Sequence, residues 1–400
     1  MFILVDAKKA VEEITPEITA LRNYIHENPE LSMKEYNTCA LLEDYIKKNV
    51  KYDRLKRVGE TGLFFELKGT KPGNGHTIVF RGDIDALPIL EDPSMSPCSK
   101  VPGVMHACGH DVHGSINVGA AKILSQHKDC FSGSVYFFIQ PGEEVFQGAK
   151  LFLNDAEIDF DKIDAVAALH CSAELDVGTI GVRYGAILAS ADEFIITVHG
   201  KGGHGAHCHT LRDPIVAACE IVSGLQTLVS RETNPADSVV VSVCTLHGGK
   251  AYNIMPDVVE IGGTCRTLST KDRDRVEESV KRAATSIATA YRTEAKVEYI
   301  RGVPPFVCED EWVDRAIRAG EKILGKENVK ILPYAAMGGE DFAFIKERKP
   351  GIFVRLGSRS IGGPYGSAHS STFYSDPACI PTGILTILSI AADYLDFSIS

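Results

Sequence analysis

Residues 134–144 read SVYFFIQPGEE: seven residues rich in aromatic and β-branched side chains, a turn-forming Pro-Gly, then two adjacent carboxylates. A run this short and this apolar reads as a strand buried on both faces. Glu143 and Glu144 then stand just beyond its carboxyl end. Three other runs repeat the design. Thr77 to Arg81 precedes Asp83 and Asp85, Ala165 to Leu169 precedes His170, and Ile352 to Leu356 precedes His369. Helical periodicity separates the strands, over Ile116 to Gln126 and Ala149 to Asn154. Strands alternating with helices imply an α/β domain with a mostly parallel sheet. In open sheets of that kind ligands bind outside the carboxyl ends of the strands, which is where this sequence puts its carboxylates and imidazoles.

Upstream, from Thr15 to about Val50, apolar spacing predicts two helices broken at Asn28-Pro29. Downstream, between Ala191 and Arg301, the texture changes. Strands are expected at Phe194 to His199, Ser238 to Leu246, Val258 to Thr267 and Lys296 to Ile300, with helices at Asp213 to Ser230 and Lys271 to Tyr291. Strand, helix, strand, strand, helix, strand is the order of a small ferredoxin-like α+β sandwich. The His369 strand follows it, so the sandwich reads as an insertion. The expected organisation is a catalytic domain over 1–190 and 304–400, with an inserted lid or dimerisation domain over 191–303.

The densest chemistry lies in MHACGHDVHG, Met105 to Gly114. Cys108 and His110 are one residue apart, so on an extended or turning segment both can face one site. With Glu144, His170 and His369 at three further strand ends they form a candidate ligand set. Thiolate, imidazole and carboxylate together suit zinc, manganese, cobalt or nickel better than calcium or magnesium. Glu143 and Glu144 are neighbours and in extended backbone point to opposite sides, so one can bind metal while the other faces water. In RGDIDALP, Asp83 or Asp85 could accept the second N–H of a ligand histidine. The Gly-rich stretch GKGGHGAHCH exposes His204, with His207 and His209 close behind. Asn253 and Arg266 are possible contacts for a substrate carboxylate, Arg266 through its bidentate fork.

The chain of 400 residues has a net charge of −11 with its acids dispersed, and 44% of its residues are hydrophobic. That composition argues against a nucleic-acid surface and for globular domains acting on small molecules. Phe2 to Val5 is far too short for a signal-peptide core, and no apolar run reaches the roughly 18 residues that a membrane helix needs. The eleven cysteines are scattered without framework spacing, which suggests reduced thiols and a cytoplasmic setting.

With those residues assembled, the chain resembles the aminoacylase and hippurate hydrolase family of dinuclear metallo-amidohydrolases, metallopeptidase family 20, subfamily D. The likeness runs nearly end to end through HENPELS (His26 to Ser32), RGDIDALPI, MHACGHD, QPGEE, ALH, VGTIGVR, GKGGHGA, DPIVAA, HGGKAYNIMPD, MGGEDF and GSAHSS. It implies two divalent transition-metal ions held by Cys108, His110, Glu144, His170 and His369, with the thiolate bridging. It also implies Glu143 as general base and acid, Asp85 orienting the metal site, and His204 stabilising the oxyanion, often from the lid of a partner subunit. Asn253, Arg266 and His209 fall at substrate-contacting positions. The implied activity is hydrolysis of N-acyl amino acids or related conjugates by a homodimer or higher homo-oligomer, with no membrane or nucleic-acid partner. Dipeptidase or carboxypeptidase action, deacetylation of N-acetyl-diaminopimelate, and a binder that has lost catalysis are the alternatives. Two departures stand out: VFQGA replaces the usual Gly-rich run after the paired glutamates, and Cys208 replaces the usual Pro before His209.

Overall fold

The computed structural model describes residues 6–73, 75–363 and 366–399. The apolar Phe2 to Val5 stretch lies outside them. Two compact units are present, one comprising residues 1–185, 308–334 and 344–400, the other residues 186–307 and 335–343. Among the described residues no helix is long and apolar enough to cross a membrane.

An eight-stranded sheet organises the first unit. In spatial order its strands are Arg54–Val58, Gly62–Lys68, Ser134–Gln140, Thr77–Asp83, Ala165–Asp176, Gly351–Arg359, Ile180–Val182 and Val329–Ile331. The four central strands are the runs that the sequence marks as buried. Thr77–Asp83 pairs in parallel with both Ser134–Gln140 and Ala165–Asp176, and Gly351–Arg359 pairs in parallel with Ala165–Asp176. Their carboxyl ends therefore share one edge. Ser134–Gln140 is buried at every position, as a strand covered on both faces must be. Antiparallel pairing flanks this block: Arg54–Val58 and Gly62–Lys68 form a hairpin, Gly62–Lys68 runs against Ser134–Gln140, and Ile180–Val182 runs against Gly351–Arg359. The sheet is thus mixed, with a mostly parallel centre.

Three helices, Ala7–Glu27, His110–Gln126 and Cys379–Tyr394, pack against one another in this unit. All three meet at Gly119, where a Cβ would stand 2.9 Å from Ile384 and 3.2 Å from Ile18. The central helix begins at His110, six residues before the expected Ile116. Its first turns carry His110, Asp111 and His113, which lie outside the apolar period and are all buried among polar partners.

The second unit is a four-stranded antiparallel sheet in the order Val239–Gly248, Val258–Thr267, Ala191–His199, Glu294–Val303. Helices Pro214–Ser230 and Thr270–Ala290 join the strands in ferredoxin-like order, and side chains from both enter a core with Phe194, Ile196, Val259 and Ile261. Buried Asp192 anchors the helix Thr270–Ala290 to the sheet through Arg273, whose Nη2 lies 2.7 Å from Oδ1. Gly302 N–H and the Tyr299 hydroxyl also donate to Asp192, so its charge is compensated despite full burial.

Candidate active site and metal centre

Cys108, Gly109 and His110 form the turn into the central helix. Gly109 has φ 91°, and a Cβ there would come within 3.0 Å of Cys171 Sγ, so only glycine lets the two flanking side chains converge. Ligand atoms of Cys108, His110 and Glu144 lie within 4.8 Å of one another. His170 Nε2 is 3.4 Å from Cys108 Sγ, and His369 Nε2 is 3.3 Å from Glu144 Oε1. All five candidate ligands thus meet at the strand ends of the first unit. His369 sits at φ 62°, an uncommon conformation held by its N–H bonding to Ala107 O at 2.8 Å.

Which ring nitrogens face inward follows from the hydrogen bonds. Asp85 Oδ1 lies 3.0 Å from His110 Nδ1. Burial opposes a charge on Asp85, but its bond to His110 and its hydrogen bond from Ser32 hold its pKa below the usual range, so it is an acceptor and the His110 proton is on Nδ1. His110 Nε2 is left buried with no hydrogen bond, aimed between Asp83 and Glu144 at 3.5 and 3.9 Å. His170 is oriented in the same way, its Nδ1 donating to Cys171 O at 2.9 Å and its Nε2 turned to Cys108. Hydrogen bonds to Cys108 and Glu144 raise the pKa of His369 to about 10. An orphaned imidazole nitrogen beside a thiol and a carboxylate is a donor set fitted to a transition-metal cation. Asp85→Asn is expected to weaken metal affinity about 10- to 100-fold without unfolding the protein, measured by titrating the ion into each variant.

A second group, Asp83, His110, His113 and His170, also presents ligand atoms within 4.8 Å. Its members other than His110 and His170 are already committed. Asp83 takes His113 Nδ1 on one oxygen and Arg81 Nη1 on the other. Burial opposes a charge on His113 and Asp83 favours it, but the Cys171 N–H pointed at Nε2 from 2.8 Å requires the neutral ring. His106 is 1% exposed, and burial presses its pKa to about 4. It and His113 are both fully enclosed.

Several residues here carry no sequence signal of their role. Ser32 Oγ donates to Asp85 Oδ2 at 2.7 Å, and the same oxygen accepts Glu144 N–H at 3.0 Å. Asp85 therefore ties together the segments bearing His110 and Glu144. Asp111 is held by Arg22 at 2.7 Å and His26 at 2.8 Å, and His26 reaches Glu91 at 3.0 Å on its other side. Only the quoted HENPELS stretch hinted at these contacts, and nothing in its composition names their partners.

The VFQGA departure has a backbone consequence. Phe146, in the run where the resemblance implies glycines, adopts φ 54°, its N–H closing a turn to Glu143 O at 2.8 Å. A bulky residue in that region is strained by about 1–3 kcal/mol. Phe146→Gly is expected to raise stability by about 1 kcal/mol once glycine's greater backbone entropy loss is counted, read as a higher urea midpoint.

The remaining candidates belong to the second unit. His204 is exposed, and its Nδ1 accepts Ala206 N–H at 3.2 Å, which leaves Nε2 to carry the proton in the neutral ring. Asn253 O accepts Gly205 N–H at 2.9 Å, so Asn253 lies beside the His204 turn. His209 is exposed in the same Gly-rich turn. Arg266 is half-buried on its strand, with Nη1 donating to Thr264 Oγ1 and to Cys265 O.

Comparison with known proteins agrees with this chemistry. The sequence pattern of peptidase family M20/M25/M40 matches residues 79–393. The N-acetyl-L-cysteine deacetylase of Bacillus subtilis is 35% identical over 346 residues, covering 86% of this chain and 80% of the relative. An IAA-amino acid hydrolase of Arabidopsis thaliana is 36% identical over 389 residues, covering 96% and 86%. The crystal structure of a Bacillus subtilis dinuclear metal-binding peptidase from the M20 family superposes with a TM-score of 0.85 at 31% identity, covering 96% of this chain and 99% of the other.

Proposed function

The chain belongs to peptidase family M20/M25/M40 and is a metal-dependent amidohydrolase; from that premise we propose that it cleaves the amide bond of N-acyl amino acids, releasing a carboxylic acid and a free amino acid. One observation carries the reading: Cys108, His110, Glu144, His170 and His369 meet at the carboxyl ends of the sheet's parallel central strands, with His110 Nε2 buried and lacking a hydrogen bond. We assign these five side chains as the groups that would hold two divalent ions, zinc, manganese, cobalt or nickel. Such ions, when bound, polarise a carbonyl and bring the pKa of water towards neutrality.

The rest is the work of the protein's own groups. Glu143, 5% exposed beside Glu144, takes a proton from water as its oxygen bonds to the acyl carbon. When the C–N bond breaks, Glu143 passes that proton to nitrogen, so the amine leaves neutral. Asp85 keeps His110 in one tautomer throughout. His204 is assigned as the Nε2–H donor to the developing oxyanion. Asn253, Arg266 and His209 are assigned to the amino-acid end of the substrate, where Arg266 offers a fork to the carboxylate. The assembly is proposed as a homodimer and the setting as the cytoplasm, where the Cys108 thiolate stays reduced.

The substrate assignment is tested with a panel. Metal-loaded protein is offered acetyl-, benzoyl- and indoleacetyl-amino acids, N-acetyl-diaminopimelate and dipeptides with a free amino group, and released amino acid is measured. Turnover of acylated amino acids above dipeptides is expected. Preference for dipeptides would replace the reading with a dipeptidase or carboxypeptidase, and tight binding without release would make the protein a binder.

A further inference from the structure

The stretch His26 to Ser32 and the residues just after it, HENPELSMKE, take no part in the chemistry assigned above. Its path nevertheless leads to the catalytic turn. Ala86 N–H bonds to Glu30 O at 2.9 Å and Leu31 bridges Ala86, which lays the segment along the backbone that follows Asp85. Ser32 then bonds Asp85. Three residues on, Glu35 is fully buried, and its Oε1 accepts two backbone N–H groups: Met33 at 2.8 Å and Gly142 at 2.8 Å. Gly142 directly precedes Glu143.

Both amides that Glu35 gathers come from left-handed backbone. Met33 has φ 64° and Gly142 φ 60°. The two are also in contact, since a Cβ on Gly142 would stand 2.4 Å from Met33 Sδ. Left-handed backbone at a non-glycine persists only where its surroundings over-determine it, and one carboxylate oxygen shared by both amides does so here. The direction in which Glu143 leaves the turn depends on the φ and ψ of Gly142. Resting on the assignment of Glu143 as the general base, we propose that Glu35 is a positioning residue of the reaction, fixing the Pro141-Gly142 turn so that the Glu143 carboxylate stays aimed at the reacting water.

What Glu35 supplies in this role is an acceptor, not a charge. Burial raises its pKa to about 7 against the effect of its hydrogen bonds, and a carboxyl oxygen can accept the two N–H groups in either protonation state. Glutamine keeps that oxygen and alanine removes it, so the two variants separate positioning from electrostatics.

The test compares E35A and E35Q with the wild type for kcat, KM, bound metal, and hydrogen exchange over residues 141–147. E35A is expected to lower kcat about 10- to 100-fold, the scale of a small misplacement of a catalytic group. Its KM and metal content should stay within about twofold of wild type, and the 141–147 amides should exchange faster. E35Q is expected to keep kcat within about threefold of wild type and the slow exchange. Should E35A fail to fold, E35D, whose carboxyl falls one methylene short of Gly142, is held to the same criteria. Unchanged kcat in the shortened variant, or equal losses in it and in E35Q, would overturn the proposal. E143Q measured alongside separates the two layers: normal turnover there removes the base assignment itself, whereas an inactive E143Q beside an unimpaired E35A removes only the role of Glu35.

Discussion

Glu143→Gln is expected to lower kcat by about 10³- to 10⁴-fold at unchanged metal content, at the upper end of what a positioned acid and base contributes. The reason is chemical economy at one carboxylate. Glu143 must accept a proton when water adds and return it when nitrogen departs, and an amide side chain can do neither at neutral pH. Glutamine is nearly isosteric, so the turn held by Glu35 and the N–H of Glu144 bonded to Asp85 remain in place. KM should therefore move little, because the lost interaction exists only on the way to the transition state. Kinetics on an acylated amino acid, with metal measured in the same preparations, distinguish this from a loss of ions. Near-normal turnover in E143Q would be incompatible with the mechanism.

The second large effect is expected at Cys108. Cys108→Ser keeps the size of the side chain but removes an anionic ligand, because an alcohol stays protonated where a thiol beside a cation does not. Since Cys108 Sγ lies 3.4 Å from His170 Nε2 and within the Cys108, His110, Glu144 group, its loss touches every proposed ligand at once. Metal affinity is expected to fall by more than about 100-fold, beyond the 10- to 100-fold typical of an outer partner such as Asp85. A bound ion stabilises the folded protein as the logarithm of one plus the ratio of free ion to dissociation constant, so adding zinc or manganese should raise the melting temperature of the wild type clearly and that of C108S much less. Equal thermal shifts in the two proteins would show that Cys108 is not a ligand. His106→Ala provides the contrast, since its ring is enclosed and apart from the set. Its metal content should stay at the wild-type level.

What the sequence disclosed depended on whether the signal was local. The four buried strands announce themselves as apolar runs ending in polar groups, and their pairing in one parallel block follows from the helices between them. Ser134–Gln140 and Val258–Thr267 begin and end where the sequence predicts. The rim strand Arg54–Val58 was less legible because its burial is partial and shows no alternation. The start of the central helix was hidden for the opposite reason. His110, Asp111 and His113 are polar and interrupt the apolar period, and the partners that bury them, Asp85, Arg22, His26 and Asp83, come from distant segments.

The same division runs through the site. Ligand types at strand ends can be recognised one strand at a time, and they meet as expected. Between Asp83 and Asp85, residue types alone could not choose; the structure gives His110 to Asp85 and His113 to Asp83. Ser32 and Glu35 escaped detection because each acts across a long separation, 53 residues to Asp85 and 107 to Gly142. A hydrogen bond of that span leaves no periodicity and no spacing to read.

The most direct test of the central claim is a metal add-back on a defined substrate. Ion-free protein is prepared by chelation, zinc, manganese, cobalt or nickel is returned in steps, and free amino acid released from an N-acetyl or N-benzoyl amino acid is followed. The expected result is no release without an ion and a rise that levels off at two equivalents per chain for at least one metal. Full release from the chelated protein, or no release from any acylated amino acid at saturating metal, would contradict the account.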